Sequence, residues 1–231
     1  LEAMAEILKA NNVQVRSADI GDISKRDVIE AGVVKAREPL VGAILAFGVK
    51  VLPDADAEAQ AQGVKIFRDP INYNLIDNYL NWVKEKKERK NEEEFNALIK
   101  PGKAMVLPNC IFRRANPLVV GIEVQAGRIK QKVSLIRAED GSDLGEIQQV
   151  QEEGKAIGEA KAGAQVAISM EKPIAGRHIF ERDVLYVKVP ENDAKALLSA
   201  HLEDLNAQEQ ELLREYVTMM RKRIPFWAGS L

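Results

Sequence analysis

The sequence predicts an α/β domain followed by an all-β domain: a small parallel α/β/α sandwich, a long charged connector helix, a β-barrel and two closing helices. Three observations carry this. Strand-like apolar runs alternate with helix-like runs over residues 1–70, a nearly unbroken run of charge follows, and after Lys103 short alternating segments are separated by glycines. With 231 residues, 46% of them hydrophobic and 29% charged, the chain is long enough to bury two cores.

Composition excludes several classes. No apolar run reaches the roughly 20 residues of a membrane span, and Leu1 opens neither a basic leader nor a signal peptide, so a cytoplasmic, monomeric chain with no membrane partner is expected. The first residue is not Met, and a stretch of a longer protein is expected. Cys110 is the only cysteine, which excludes a disulfide framework and a cysteine zinc cluster. Lys plus Arg (33) nearly balances Asp plus Glu (35), so any RNA contact has to be local.

Residues 1–70 form the predicted sandwich. Leu1, Met4, Ala5 and Leu8 share one helical face, and Asn11-Asn12 ends that helix. "VQVRSADIG" alternates through Val13, Val15 and Ser17 as a strand. Ser24, with Asp27 three places on, caps a helix through Val28, Ile29 and Ala31. "LVGAILAFGV", residues 40–49, is a continuous apolar run between Pro39 and Pro53, the mark of a strand covered on both faces. "DADAEAQAQG" is a helix capped by Asp54 or Asp56 and stopped by Gly63, and "VKIFRD" is a last strand. Such sheets bind ligands at the carboxyl ends of their strands, but "GDISKRD" lacks the second glycine and the Lys of a phosphate loop. A spacer or binding platform is expected, and a free-standing α/β enzyme is the weakest reading.

Residues 71–100, "INYNLIDNYLNWVKEKKERKNEEEFNALIK", begin with Leu75, Tyr79, Trp82 and Val83 at helical spacing and then turn charged on every side. Lys84 with Glu88, Glu85 with Arg89, and Lys90 with Glu94 stand four apart and support a helix in water. Lys100-Pro101-Gly102 terminates it.

Residues 101–189 read as six short antiparallel strands closing a barrel. Asp140-Gly141 suits a primed hairpin turn, and Glu153-Gly154, Gly163 and Gly176 mark other corners. Gly127 belongs at a turn or bulge, and Gly121 relieves crowding where a strand bends. Residues 190–231 form a helical hairpin joined near Asn206. Its apolar positions are Ala194, Leu197, Leu198 and Leu202, then Leu212, Leu213, Tyr216 and Met220; Phe226 and Trp227 fold back on the domain. His178 and His201 are the only histidines, and no Ser or Cys stands beside either in a nucleophile motif, so no catalytic residue and no metal site is expected.

"VLPNCIFRRANPLVVGIEVQAGRIKQKVSLI", "GEIQQVQEEGKAIGEAKAGAQVAISM" and "GRHIFERDVLYV" resemble the last barrel of translation initiation factor 5B, the archaeal and eukaryotic counterpart of bacterial initiation factor 2. "NNVQVRSADIGDISKRDVIEA", "AILAFGVKV" and "GVKIFRDPINYNLIDNYL" are similar to that family's third domain, so the likeness spans the C-terminal half of the family. One departure stands out: family barrels carry a further glycine shortly after Gly127, where this chain reads "RIKQKV".

The resemblance implies a part of a GTPase that joins ribosomal subunits. GTP and magnesium would belong to a domain upstream of Leu1, with no cofactor in this stretch. The barrel would hold the methionylated end of initiator tRNA, for which the candidates are Arg113, Arg114, Arg128, Lys130, Lys132, Arg177 and His178. The helical tail would contact initiation factor 1A through Leu212, Leu213, Tyr216, Met220, Arg221, Lys222 and Arg223. Two readings of that tail stay open: its apolar stripe grips a partner, or it covers the barrel. A protein-docking scaffold without RNA contact is the alternative for the whole chain.

Overall fold

In the computed structural model, which describes residues 2–11, 13–39 and 41–229, the chain divides into two units at Glu93 and Glu94. The features assigned to Leu1, Asn12 and Leu40 lie outside the described residues.

The first unit holds helices α1 (Glu2–Ala10), α2 (Lys25–Arg37) and α3 (Pro53–Gln62), strands β1 (Ala43–Phe47) and β2 (Lys65–Asp69), and most of helix α4 (Asn72–Ala97). β1 and β2 pair in parallel, Leu45 opposite Phe67. Successive side chains of a strand point to opposite faces, and both faces are covered. On one, Phe67 packs with Leu75 and Tyr79 of α4, with Met4, Ala43 and Leu45 against them. On the other, Ala46 packs with Val28 of α2 and with Ala55 and Ala59 of α3. The α/β/α layering is therefore present around a two-stranded sheet.

The strand expected over Val13–Ser17 does not form. Val13 is tied to the end of α1 by its N–H to Leu8 O (2.8 Å), and Val15 is exposed. Alternation specifies which face is apolar but supplies no neighbouring edge; further along, Ile23 and Val51 form only an isolated parallel bridge. Ser24 caps α2 as expected: the Asp27 carboxylate accepts from both its N–H and its hydroxyl, each at 2.8 Å. α3 is capped differently from the expectation on Asp54 or Asp56. Its N-cap is Leu52 with Pro53 in the first turn, where the missing N–H costs nothing, and Asp56 pairs instead with Arg68. Gly63 ends it in the left-handed conformation at φ 62°.

α4 buries Leu75, Ile76 and Tyr79 and is then exposed on every side from Lys84 to Glu94. The Lys84–Glu88 pair is present at 3.9 Å. Such exposed pairs contribute about 0.3–0.5 kcal/mol.

The second unit is built on strands β3 (Gly102–Arg113), β4 (Leu118–Lys130), β5 (Ser134–Arg137), β6 (Asp143–Glu152), β7 (Lys155–Ile157), β8 (Glu159–Lys161), β9 (Gln165–Met170) and β10 (Val184–Val187). The order β3-β10-β5-β6-β9-β4 closes through pairing of β4 with β3, giving a six-stranded barrel; β7 adds to β6 and β8 to β4. Val106, Ile122, Ile147, Ile168 and Leu185 fill its interior.

Gly121 marks an irregularity of the β3–β4 pair. Between the pairs Val106–Ile122 and Ile111–Val120, β3 carries four residues against Gly121 alone. A Cβ on Gly121 would lie 2.8 Å from the Cβ of Cys110. Gly127, at φ 65°, pairs with Gly102 two positions from the next register shift, where Gln125 is unpaired, and its missing Cβ makes room for Pro101 O. The two-residue primed turn falls at Glu153-Gly154, both at positive φ, between β6 and β7. Asp140-Gly141 lies instead in a longer connection in which Gly141 N–H donates to Arg137 O at 2.8 Å and Arg137 pairs with Asp140. In the turn after β4, Lys132 takes the left-handed conformation, φ 64°.

Helices α5 (Glu191–Ser199) and α6 (Ala207–Arg223) follow. Asn206 caps α6, accepting from Glu209 N–H at 2.9 Å.

Candidate nucleic-acid interface

The seven residues proposed for RNA fall in two places. Arg113 is the last residue of β3 and pairs with Val119, which pairs with Ser169 of β9, which pairs with Gln149 of β6. Because Leu118 and Val120 point into the core, this row points outward. Its side chains, with Pro117, Gln151 and Glu171, line a shallow groove on the barrel wall. The chemistry is mixed: one guanidinium, the Glu171 carboxylate, amides and a hydroxyl around a small apolar floor, suited to a polar ligand.

Beside that row, the segment from Pro173 to Asp183 is fastened to β3. Ala175 N–H donates to Arg114 O (2.9 Å), Arg182 N–H to Val106 O (2.9 Å), Val106 N–H to Asp183 O (2.9 Å), and Asn109 N–H to the Glu181 carboxylate (3.1 Å). The segment is also braced internally: His178 N–H donates to Ile174 O, and Ile174 N–H donates to His178 Nδ1 at 3.0 Å. A ring accepting at Nδ1 carries its proton on Nε2. Arg114 and Arg177 are exposed here. These contacts bring Arg177 and His178, on a tethered loop, to the end of the barrel where Arg113 closes β3 and Arg114 follows it.

Phe112 belongs to the same end and was not among the expected residues. Ile111 pairs with Val120 and Arg113 with Val119, so Phe112 is the extra residue of a β-bulge. A bulge re-aims the side chain it carries, and Phe112 is 67% exposed between two strand neighbours that are paired. A register shift between two strands cannot be read from the sequence of one.

Arg128, Lys130 and Lys132 lie elsewhere. Arg128 is nine positions beyond Val119, about 30 Å along the strand. It is engaged by Glu209 (2.5 Å) and Glu159 (3.5 Å), and Lys130 also pairs with Glu159 (3.0 Å). Lys100 is buried next to them, its ammonium 3.9 Å from the centre of the Phe95 ring, and burial, then Lys130 and Arg128, hold it below the ordinary lysine range. This second group is an internal charge network joining β4 to the start of α6. Lys132, in the turn after β4, is exposed.

The tail settles between its two readings. Leu212, Leu213 and Tyr216 are buried in the barrel core and Met220 packs against it, so the stripe expected to receive a partner covers the barrel instead. The physical reason is area: the apolar face of α6 is what closes the core beside β3 and β4. Arg221 donates to Trp227 O (3.0 Å) and Gly229 O (2.7 Å), and Arg223 donates to Ala138 O (2.7 Å), while Lys222 is exposed. Trp227 folds back edge-on to Tyr216 (5.6 Å), whereas Phe226, expected to fold back with it, is 86% exposed.

Among the described residues, no group of three or more His, Cys, Asp or Glu side chains is placed to hold a metal ion, and no helix is long and apolar enough to cross a membrane. His201 is buried against Phe95 and pairs with Asp204 at 2.8 Å.

Two family models match the chain: Translation-initiation factor 2 over residues 1–80 and Elongation factor Tu domain 4 over residues 100–186. Probable translation initiation factor IF-2 of Staphylothermus marinus is 42% identical over 228 residues, covering 98% of this chain and 38% of that protein. The protein of the same name from Hyperthermus butylicus is 43% identical over 232 residues, again covering 38% of its length. The solved structure of GDP-bound aIF5B from Aeropyrum pernix is 39% identical, with a TM-score of 0.57 over 98% of this chain and 38% of that one. The chain thus spans about 38% of the length of these relatives.

Proposed function

The chain belongs to the translation initiation factor IF-2 family, to the C-terminal part of its archaeal aIF5B form, and from that premise we propose that it is a non-catalytic RNA- and protein-binding part of a GTPase that joins ribosomal subunits. Its barrel holds the methionylated acceptor end of initiator tRNA. GTP and magnesium bind outside these residues, and the working partners are the ribosome, initiator tRNA and initiation factor 1A, in the cytoplasm, with the chain monomeric.

One observation carries the tRNA reading: Arg113, Arg114 and Arg177 lie at the same end of the barrel as Phe112, an aromatic ring that a β-bulge has turned to solvent. A single-stranded acceptor end needs cations for phosphates and a ring on which its last base stacks. The groove beyond Arg113, with Gln149 and Ser169, offers the polar wall for the aminoacyl ester. Arg128 and Lys130, neutralised by Glu209 and Glu159, contribute less. For initiation factor 1A the tail presents Lys222, Ile224 and Phe226 in place of the buried stripe.

The test is anisotropy of labelled initiator tRNA, methionylated and uncharged, titrated at two salt concentrations. The methionylated form binds more tightly, affinity falls with salt, and Arg113→Glu with Arg177→Glu abolishes the preference. Equal binding of both forms, unaffected by these substitutions, would turn the assignment toward the protein-docking scaffold.

A further inference from the structure

The first unit carries its own cationic and aromatic groove, remote in sequence from the barrel residues. It is lined by Asp56 and Gln60 of α3, Lys65 and Arg68 of β2, and Trp82 and Lys86 of α4. Trp82 is fixed from below: its ring meets Phe67 edge-on at 5.6 Å and lies 6.2 Å from Tyr79, the buried ring one turn earlier in α4. Lys86, one turn later, holds its ammonium 5.9 Å from the indole centre. On the other wall Lys65 stands over Phe67 at 5.8 Å, and Arg68 is paired with Asp56 at 2.5 Å yet about half exposed. At the head of the groove, Lys35 donates to Gln62 O (2.8 Å) and Gly63 O (2.7 Å), so the free carbonyl end of α3 is already neutralised.

We propose that this groove binds single-stranded RNA, with a base against Trp82 and the flanking phosphates on Lys65 and Lys86. Three cations against the Asp56 carboxylate leave it net positive, and the cations come from both walls with the indole between them. That placement separates the candidate occupants. An acidic peptide would use the cations alone, whereas a nucleotide strand uses the ring as well, since every base has a face to stack. The preorganised ring is the feature a peptide reading leaves unexplained. The inference is independent of the tRNA assignment, which concerns residues of the second unit.

The experiment titrates the full chain with a single-stranded oligoadenylate of about ten nucleotides, within the span of known single-strand sites, and follows tryptophan emission. Subtracting the Trp82→Phe variant isolates Trp82 from Trp227, the other tryptophan. The expected result is a saturable change in Trp82 emission that weakens with salt. Trp82→Ala weakens binding about fivefold or more, and paired Lys65→Glu and Lys86→Glu, both at exposed positions, weaken it about tenfold. Arg113→Glu with Arg177→Glu leaves the Trp82 response intact, which keeps this site distinct from the barrel. RNA binding by anisotropy with no change in Trp82 emission would overturn the proposal, as would a Trp82 response indifferent to the two lysine reversals. Tighter saturation by polyglutamate than by oligoadenylate would give the groove to an acidic protein segment and overturn it too.

Discussion

The Arg128 guanidinium clasps the Glu209 carboxylate, with Nε and Nη2 both donating to Oε1 at 2.8 and 2.5 Å. Glu209 is 2% exposed, and its other oxygen accepts from Asn206 N–H at 3.2 Å. One carboxylate thus completes the capping box of α6 and anchors that helix to β4. Removing one partner of a buried pair leaves the other charge uncompensated, which costs about 3–5 kcal/mol; Arg128 keeps some contact with water, so the lower end applies. Glu209→Ala is expected to lower barrel stability by about 3 kcal/mol in urea unfolding. Glu159→Ala, at 3.5 Å from Arg128 and better solvated, costs about 1 kcal/mol or less.

Tyr216 makes the same unit sensitive to alkali. Burial pushes its phenol up to about 12, against the opposing pull of the Val189 N–H that it accepts and of Arg223. The unfolded phenol ionises near 10. The folded chain therefore binds more protons between the two values, and its stability is full below pH 10 and falls as pH rises toward 12. The loss amounts to about 2–3 kcal/mol. Unfolding midpoints across that window should decline less in Tyr216→Phe, which has no phenol to ionise, and a phenolate titration should show one late-ionising group that this variant lacks.

What was legible in the sequence was local. Ser24 with Asp27, and Gly63, were readable because each acts within one turn of its own helix. The strand expected at Val13–Ser17 failed because alternation cannot say whether a sheet edge is available. The primed two-residue turn expected at Asp140-Gly141 falls at Glu153-Gly154, read only as a corner; Asp140 is instead paired with Arg137 in a longer connection. At the candidate site the arginines were visible as charges, but Arg128 meets a partner 81 positions away and Phe112 is exposed by a register shift across two strands. Neither relation exists in any window of one strand.

Phe112 supplies the sharpest separation of binding from folding. Its ring is largely in water, so Phe112→Ala removes little packing and leaves the unfolding midpoint within about 0.5 kcal/mol of the parent. A stacked base is worth about 1–3 kcal/mol. Affinity for initiator tRNA should fall by about fivefold or more, and Phe112→Trp should retain it. Anisotropy on the three proteins checks both halves.

Lys132 occupies a backbone conformation that suits glycine. At φ 64° its Cβ meets the following carbonyl, a cost of about 1–2 kcal/mol that glycine does not bear, although glycine loses more entropy on folding. The net expectation for Lys132→Gly is a stabilisation of about 0.5–1 kcal/mol, the donation of its N–H to Ile147 O at 2.8 Å being kept. Lys132→Val, branched at Cβ, should move the urea midpoint the other way.

Gly121 and Cys110 face each other where four residues of β3 stand against one of β4. The limit at Gly121 is space rather than backbone angle, since it is not among the positive-φ glycines and a Cβ there would lie 2.8 Å from the Cβ of Cys110. Gly121→Ala must push the bulge away from β4, and overpacking of this kind costs about 1–3 kcal/mol. Cys110→Ala keeps the obstructing atom and brings no relief. Cys110→Gly removes it, so the pair Gly121→Ala with Cys110→Gly should be more stable than the sum of the single changes by about 1 kcal/mol or more, measured as the coupling of a double-mutant cycle. Because the same bulge leads into Phe112 and Arg113, Gly121→Ala should also weaken tRNA binding, and Cys110→Gly should restore it. Additive stabilities with unchanged binding would show that the bulge can shift freely and does not fix the aim of Phe112.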